Sequence, residues 1–253
     1  KVPLVRLAGL TQPCQLTLTE VSLFGVNAST EMVSATSQAN FTLSLQNMEY
    51  TKNTQGEDGG FNINAPQISL KVFRSSITEN SGFDGIFQFV TPSLYVSFVG
   101  TNFTNNVGYN ISIINAQLSG DMVINAVSTT FTGNRPDIFG IEATDTKINA
   151  SFSETPFVSN GAILAVFANS SELSWFHTGG IISQNRASDP RGIYIIETEQ
   201  SKIDLQFAPG TLFDSNHELF TVDAVNGSVS LDFGVNTTIK NTSGSGYACN
   251  LVT

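Results

Sequence analysis

Short segments in which apolar and polar residues alternate recur along the whole chain. One set reads GIFQFV, DIFGIEA, GIYIIET and ELFTVDA, and another reads SLYVSF, KINASF, KIDLQF and SVSLDF. A period of two residues is typical of a β-strand with one buried face. Because no segment with a helical period separates these strands, the pattern predicts an all-β fold.

A second pattern, Phe-x-x-Asn, marks an internal repeat. It reads FGVN, YTKN, ITEN, FTNN, FTGN, FVSN, ISQN and FDSN, and a ninth copy, IKNT, ends in Thr242. Successive asparagines are 26, 27, 26, 28, 26, 25 and 31 residues apart. The eight asparagines in phase are Asn27, Asn53, Asn80, Asn106, Asn134, Asn160, Asn185 and Asn216. Self-similarity at such a period indicates a solenoid.

Three short strands in each repeat fit a coil in which every strand pairs in parallel with its copy one coil away. We therefore predict a right-handed parallel β-helix of about nine coils, roughly 43 Å long at the usual strand spacing. Residues 21–253 are assigned to this solenoid, which is expected to continue or stack beyond its C-terminal end. Residues 1–20 are expected to form an N-terminal cap or docking segment.

The recurrent asparagine suits a turn between strands. An asparagine tolerates left-handed backbone angles and can bond to nearby backbone groups. Stacked amides can also bond to one another, which predicts a ladder along the axis with a column of Phe side chains inside. The alternative, that these asparagines form a ligand or catalytic row, is less favoured. The segments TQGEDGG (54–60) and RASDPRG (186–192) follow such turns and are predicted loops.

Nine acceptor sequences for N-linked sugar point to a secretory route. Asn27 belongs to the in-phase set, and the others fall elsewhere in the repeat, several of them beside apolar residues assigned to the interior. Alternation then directs those asparagines to solvent. The nine are Asn27, Asn40, Asn102, Asn110, Asn149, Asn169, Asn226, Asn236 and Asn241.

The amino-acid composition limits the classes of partner that the protein is expected to bind. Only 13% of residues are charged, and the net charge of −10 argues against nucleic acid and against an anionic membrane surface. No apolar run reaches the roughly 18 residues of a membrane helix, so we predict no transmembrane segment. The chain begins at Lys1, and its first residues lack the long apolar centre of a signal peptide.

Cys14 and Cys249 are the two cysteines of the chain, one near each end. In one rod they are expected to lie far beyond the Cα separation of about 7 Å that a disulfide allows. A bond between Cys14 of one copy and Cys249 of the next would join rods head to tail. Free cysteines are the alternative.

The strongest candidate for chemistry is a row of residues at one position of successive repeats. Glu142, Phe167, Glu197 and Asp223 align there, facing outward. Glu197 and Asp223 would be one strand spacing apart, close enough to share a proton or a cation, which makes them the candidate metal or carbohydrate contacts. A solvated face is the alternative, because no Arg, Lys or His falls in register with them.

Several other residues belong to types used in catalysis. The segment RPDIFG, with Asp137, resembles the Asp-bearing strand of pectin methylesterases, but the Gln-Asp and Arg-Pro-Trp motifs of that family are missing. The motifs of polygalacturonases are missing as well. His177 and His217 flank different strands, and Trp175 is assigned to the core. The sequence therefore predicts neither a catalytic set nor a cofactor.

In outline the repeat resembles that of the chlamydial polymorphic membrane proteins, whose passenger domains carry many Phe-x-x-Asn motifs. Their companion Gly-Gly-Ala motif is matched loosely by NGAIL (160–164) and GGII (179–182). The resemblance implies a surface scaffold or adhesin.

Together these patterns predict an extracellular, N-glycosylated structural or adhesive protein that associates with itself head to tail or laterally. Ile138, Ile163, Ile193 and Leu219 are assigned outward as a lateral contact. The alternative is a carbohydrate-active enzyme or carbohydrate-binding protein.

Overall fold

A computed structural model describes residues 5–27, 31–54, 60–82, 85–108, 113–135, 137–186, 192–240 and 247–252. These residues form strands and turns and contain no helix. The predicted loops at 54–60 and 186–192 lie almost entirely outside the described residues.

The strands, in chain order, are β1 (Val5–Leu10), β2 (Cys14–Thr19), β3 (Ser22–Phe24), β4 (Val33–Ser37), β5 (Phe41–Gln46), β6 (Glu49–Thr51), β7 (Phe61–Asn64), β8 (Gln67–Phe73), β9 (Ser76–Thr78), β10 (Ser81–Gly82), β11 (Phe87–Thr91), β12 (Ser93–Val99), β13 (Asn102–Thr104), β14 (Val107–Gly108), β15 (Ile114–Leu118), β16 (Met122–Val127), β17 (Thr130–Thr132), β18 (Phe139–Thr144), β19 (Lys147–Ser153), β20 (Phe157–Val158), β21 (Leu164–Asn169), β22 (Glu172–Thr178), β23 (Ile181–Ser183), β24 (Tyr194–Glu199), β25 (Lys202–Phe207), β26 (Leu212–Asp214), β27 (Phe220–Val225), β28 (Ser228–Phe233), β29 (Thr238–Lys240) and β30 (Tyr247–Val252).

Three parallel sheets run the length of the solenoid. The first has ten strands, in the order β1-β4-β7-β11-β15-β18-β21-β24-β27-β30. The second has nine, from β2 to β28, and the third has nine short strands, from β3 to β29. A small pair, β10 and β14, lies beside them. The predicted all-β, right-handed parallel β-helix with three strands per turn is confirmed.

Alternation within each strand builds the core. In the ten-stranded sheet, Phe61, Phe87, Ile114 and Phe139 occupy one column in register, and all four are buried. Their neighbours along each strand point outward and are partly or fully exposed. Because every coil repeats this pattern, the inward columns of the three sheets merge into one continuous apolar cluster.

Aromatic rings stack along the axis inside the third sheet. Phe131 lies between Phe103 and Phe157, with ring centroids 4.9 and 5.1 Å away and interplanar angles of 5° and 8°. These are the phenylalanines of three successive Phe-x-x-Asn motifs. The regular axial distance between coils therefore sets both the ring stack and the column of asparagines that follows it.

Residues 5–19 contribute two strands to the sheets of the solenoid. Val5–Leu10 and Cys14–Thr19 form β1 and β2, which pair in parallel with β4 and β5 of the next coil. A capping or docking role for residues 1–20 stays a prediction. Across the described ranges, no helix is long and apolar enough to cross a membrane.

Corners of the coil use left-handed backbone angles. The residue just before each ladder asparagine has positive φ, as at Glu79 (54°), Gln184 (56°) and Gly133 (66°). A left-handed residue turns the chain sharply after the short third strand. The turn carries the following asparagine into the interior, where its side chain meets its copies.

Candidate functional site

Seven asparagines form a continuous ladder at the corner after the third sheet. From Asn80 onward, each side-chain Oδ1 accepts bonds from the asparagine one coil earlier, through both the backbone N–H and the Nδ2 of that residue. The Nδ2–Oδ1 distances range from 2.9 to 3.1 Å. Every member is buried. The seven are Asn53, Asn80, Asn106, Asn134, Asn160, Asn185 and Asn216.

Each ladder amide also donates a hydrogen bond to a backbone oxygen of the coil before it. Nδ2 of Asn106 donates to the backbone oxygen of Ile77 at 2.8 Å, in addition to its bond with Asn134. One side chain thus connects three successive coils. Asn106 therefore uses its Nδ2 and its Oδ1 inside the rod, where they join neighbouring coils.

Asn27 is not a ladder member, which corrects the prediction. In the first coil Leu23, not Phe24, pairs with Tyr50, so the repeat is displaced by one residue. Val26 takes the ladder position, and its backbone N–H donates to Oδ1 of Asn53 at 2.9 Å. Phe24 is consequently 68% exposed, and Asn27 faces solvent.

The acceptor asparagines lie on the outside wherever the structure describes them. Asn149 is half-buried, whereas the following are exposed: Asn27, Asn40, Asn102, Asn169, Asn226 and Asn236. Asn110 and Asn241 lie outside the described residues. Buried and surface asparagines thus occupy separate positions of the coil.

The four residues predicted to align outward do form one column of the ten-stranded sheet, called the acidic column below. Glu142 pairs with Phe167, Phe167 with Glu197, and Glu197 with Asp223, on strands β18, β21, β24 and β27. Phe167 is 43% exposed and stands between the two glutamates. Nε2 of Gln117, one strand earlier, donates to Glu142 at 3.2 Å.

A groove of about 610 Å³ opens along this column. Its walls include Thr144, Asn169 and Glu199, which are adjacent in register on β18, β21 and β24. Among the described residues, no three His, Cys, Asp or Glu side chains are grouped so that they could hold a metal ion. Glu197 and Asp223 therefore remain a pair of neighbouring carboxylates rather than a built metal centre.

The lateral stripe predicted from Ile138, Ile163, Ile193 and Leu219 is wrong, because all four side chains are at most 1% exposed. They precede the buried residues that begin β18, β21, β24 and β27. The chain bends at Ile138, Ile163 and Ile193. Two consecutive residues then face inward, since alternation applies only along a straight strand. The stripe is an inner corner column.

The exposed apolar side chains lie elsewhere. Phe167 is on the ten-stranded sheet, and Phe73, Val127 and Phe176 are on the second sheet, each 39–43% exposed. Their exposure could have been predicted from the sequence, because each is an aromatic or aliphatic residue at an outward position of its strand.

Cys14 and Cys249 lie in strands at opposite ends of the stack. Cys14 is a free, half-buried cysteine in β2 of the first coil. Cys249 lies in β30, where its backbone is in register with Val222. Nine strand spacings of about 4.8 Å separate the two edges of the ten-stranded sheet, which rules out a bond between the two cysteines of one described rod.

The candidate catalytic residues do not converge. His177 is buried among Phe152, Phe157 and Phe207, and burial lowers its pKa to about 4. Trp175 lies in the core, 1% exposed. His217 pairs with the corner of the third sheet, whereas Asp137 precedes β18 in the first.

Comparison with known proteins gives no family. No protein-family model matches the chain, and no curated protein matches it. Among solved structures, the chain is similar to the A-module of mannuronan C-5 epimerase AlgE6 from Azotobacter vinelandii, with 11% identity and a TM-score of 0.24. The match covers 94% of this chain and 80% of that chain. A likeness of this size carries no argument about function.

Proposed function

We propose that this chain is an extracellular, N-glycosylated structural or adhesive β-helix that associates with further copies of itself. The observation that supports it most is the buried ladder from Asn53 to Asn216, which links eight coils through side-chain amides. Such a ladder stiffens a rod without taking part in chemistry. A stiff rod with outward acceptor asparagines suits a surface scaffold.

Self-association is proposed from the way in which the coils join. Each strand pairs in parallel with its copy one coil away, as β2 does with β5. Another copy stacked along the axis would extend the three sheets by the same kind of pairing. Such a heterologous contact repeats without closing, so it forms filaments.

The proposal is tested on protein secreted from a eukaryotic host. Glycopeptide mass spectrometry measures its sugars, and electron microscopy shows whether it forms filaments. We expect sugar on the exposed acceptors and filaments whose axial repeat is close to the length of one rod. Non-reducing electrophoresis of wild type beside Cys14→Ser tests whether a Cys14–Cys249 bond joins the copies. Unmodified, strictly monomeric protein would overturn the proposal.

A second function, carbohydrate binding or turnover, is favoured by the groove at Phe167. An aromatic ring between two carboxylates can hold a sugar face and its hydroxyl groups. Turnover of acidic polysaccharides by wild type and by Glu197→Ala separates the two functions. Activity that falls sharply in Glu197→Ala would replace the structural role with an enzymatic one.

A further inference from the structure

The groove on the ten-stranded sheet contains both an exposed ring and an acceptor for N-linked sugar. Phe167 and Asn169 are two residues apart on β21, and both face outward. Residues at this spacing share a face of a strand, about 6.6 Å apart along it. A sugar attached to Asn169 would therefore start beside the ring of Phe167.

The acceptor atom of Asn169 is suitably placed. Its Oδ1 accepts from the hydroxyl of Ser170 at 3.2 Å, and its backbone oxygen accepts from Ser171 at 2.8 Å. Nδ2 donates to no group in the described part of the chain. By contrast, Nδ2 of Asn40 donates to Gln67 at 2.8 Å.

The groove has the chemistry that a pyranose ring needs. The exposed face of Phe167 can take the apolar C–H face of a sugar, and the oxygens of Glu142 and Glu199 can accept from hydroxyl or N-acetyl N–H groups. The volume of about 610 Å³ lies within the roughly 300–1,000 Å³ of small-ligand sites. One or two sugar rings fit a space of this class.

Asn40 and Asn102 do not have this arrangement. The residues two positions before them are Gln38 and Gly100, which offer no ring. Phe73 is an equally useful contrast, because it is 39% exposed but lies on β8 of the second sheet.

We propose that the N-glycan of Asn169 folds back into this groove and packs its first sugar on Phe167, between Glu142 and Glu197. The inference depends on the N-glycosylation proposed above. Attachment forms a bond from Nδ2 to the sugar C1; the amide loses a proton, and the pyrophosphate of a lipid-linked sugar donor of the host departs. The groove is then filled by the glycan of the protein itself, which shields an exposed ring.

A double-mutant cycle tests this inference in protein secreted from a eukaryotic host. It comprises wild type, Phe167→Ala, Asn169→Gln and the double variant, with occupancy of every acceptor measured by glycopeptide mass spectrometry. We expect Phe167→Ala to lower the melting temperature by about 2–4 °C when Asn169 carries sugar, and by much less when it does not. Trimming the glycan to its first sugar should keep the effect.

Two controls separate this coupling from simple loss of packing. The same four variants made in a bacterial host without N-glycosylation should show no coupling, and neither should the pair Phe73→Ala and Asn169→Gln in the secreted protein. Coupling no larger than in these controls would overturn the inference, as would loss of the effect on trimming.

Glycan occupancy at the acceptor asparagines distinguishes failure of this inference from failure of the proposed function. An empty Asn169 beside occupied Asn40 and Asn102 overturns the inference alone. If no acceptor is occupied, the proposed glycoprotein role fails together with it.

Discussion

Oδ1 of Asn134 accepts two bonds from Asn106, one from the backbone N–H at 3.2 Å and one from Nδ2 at 2.9 Å. This doubled contact recurs at each step of the ladder. It predicts that the ladder contributes strongly to stability, because each side chain satisfies buried groups of its neighbours.

Asn106→Ala should lower the free energy of unfolding by about 3–5 kcal/mol, since buried groups of Asn80, Asn134 and Ile77 lose their partner. Urea denaturation followed by circular dichroism measures this change. Asn64→Ala, at an exposed strand position, is the control and should change stability by less than about 0.5 kcal/mol. Equal effects of the two substitutions would contradict the ladder's role.

Phe131→Ala should destabilise the rod by about 3–5 kcal/mol, because it leaves a cavity between Phe103 and Phe157. Chemical denaturation compared with Phe73→Ala, whose ring is half-exposed, checks this. A cost for Phe131→Ala no greater than that for Phe73→Ala would show that the ring stack collapses without penalty.

Because His177 is buried, we expect the free energy of unfolding to fall at acid pH. Burial lowers its folded-state pKa to about 4 from an ordinary value of 6.5. The unfolded chain therefore binds more protons between these values, so stability is present above about pH 6.5 and is lost as pH falls toward 4. The loss attributable to this group is about 3 kcal/mol.

His177→Phe should remove that part of the pH dependence, because Phe matches Phe152 and Phe207, its partners in register. Urea midpoints across this pH range, for wild type and variant, isolate the histidine from the carboxylates that both proteins share. Parallel pH profiles would count against the assignment.

Gln184→Gly should stabilise the protein by up to about 1 kcal/mol. Gln184 has φ of 56°, and glycines occupy the same corner at Gly25 and Gly133. A left-handed conformation costs an ordinary residue about 1–2 kcal/mol, partly offset here by the greater freedom of glycine in the unfolded chain. Gln184→Val should have the opposite sign in thermal denaturation, and a stabilising valine would refute the strain argument.

The repeat and the strands could be predicted from the sequence because both are local properties. Alternation marked the inward face of strands such as β12 and β19, and the spacing of Phe-x-x-Asn placed the ladder from Asn53 onward. The acidic column was also recoverable, since residues at equal positions of equal coils must stack. The groove that forms around Phe167 was not, because its walls come from four strands.

What the sequence determined by itself is the period: a solenoid, its inward columns and its outward asparagines follow from spacing alone. Tertiary structure decided the register and the corners. The first coil is displaced by one residue, because Leu23 rather than Phe24 pairs with Tyr50, which leaves Phe24 exposed. Ile138 and its copies turned inward, because a bend between strands breaks alternation and lets two neighbouring residues face the same core.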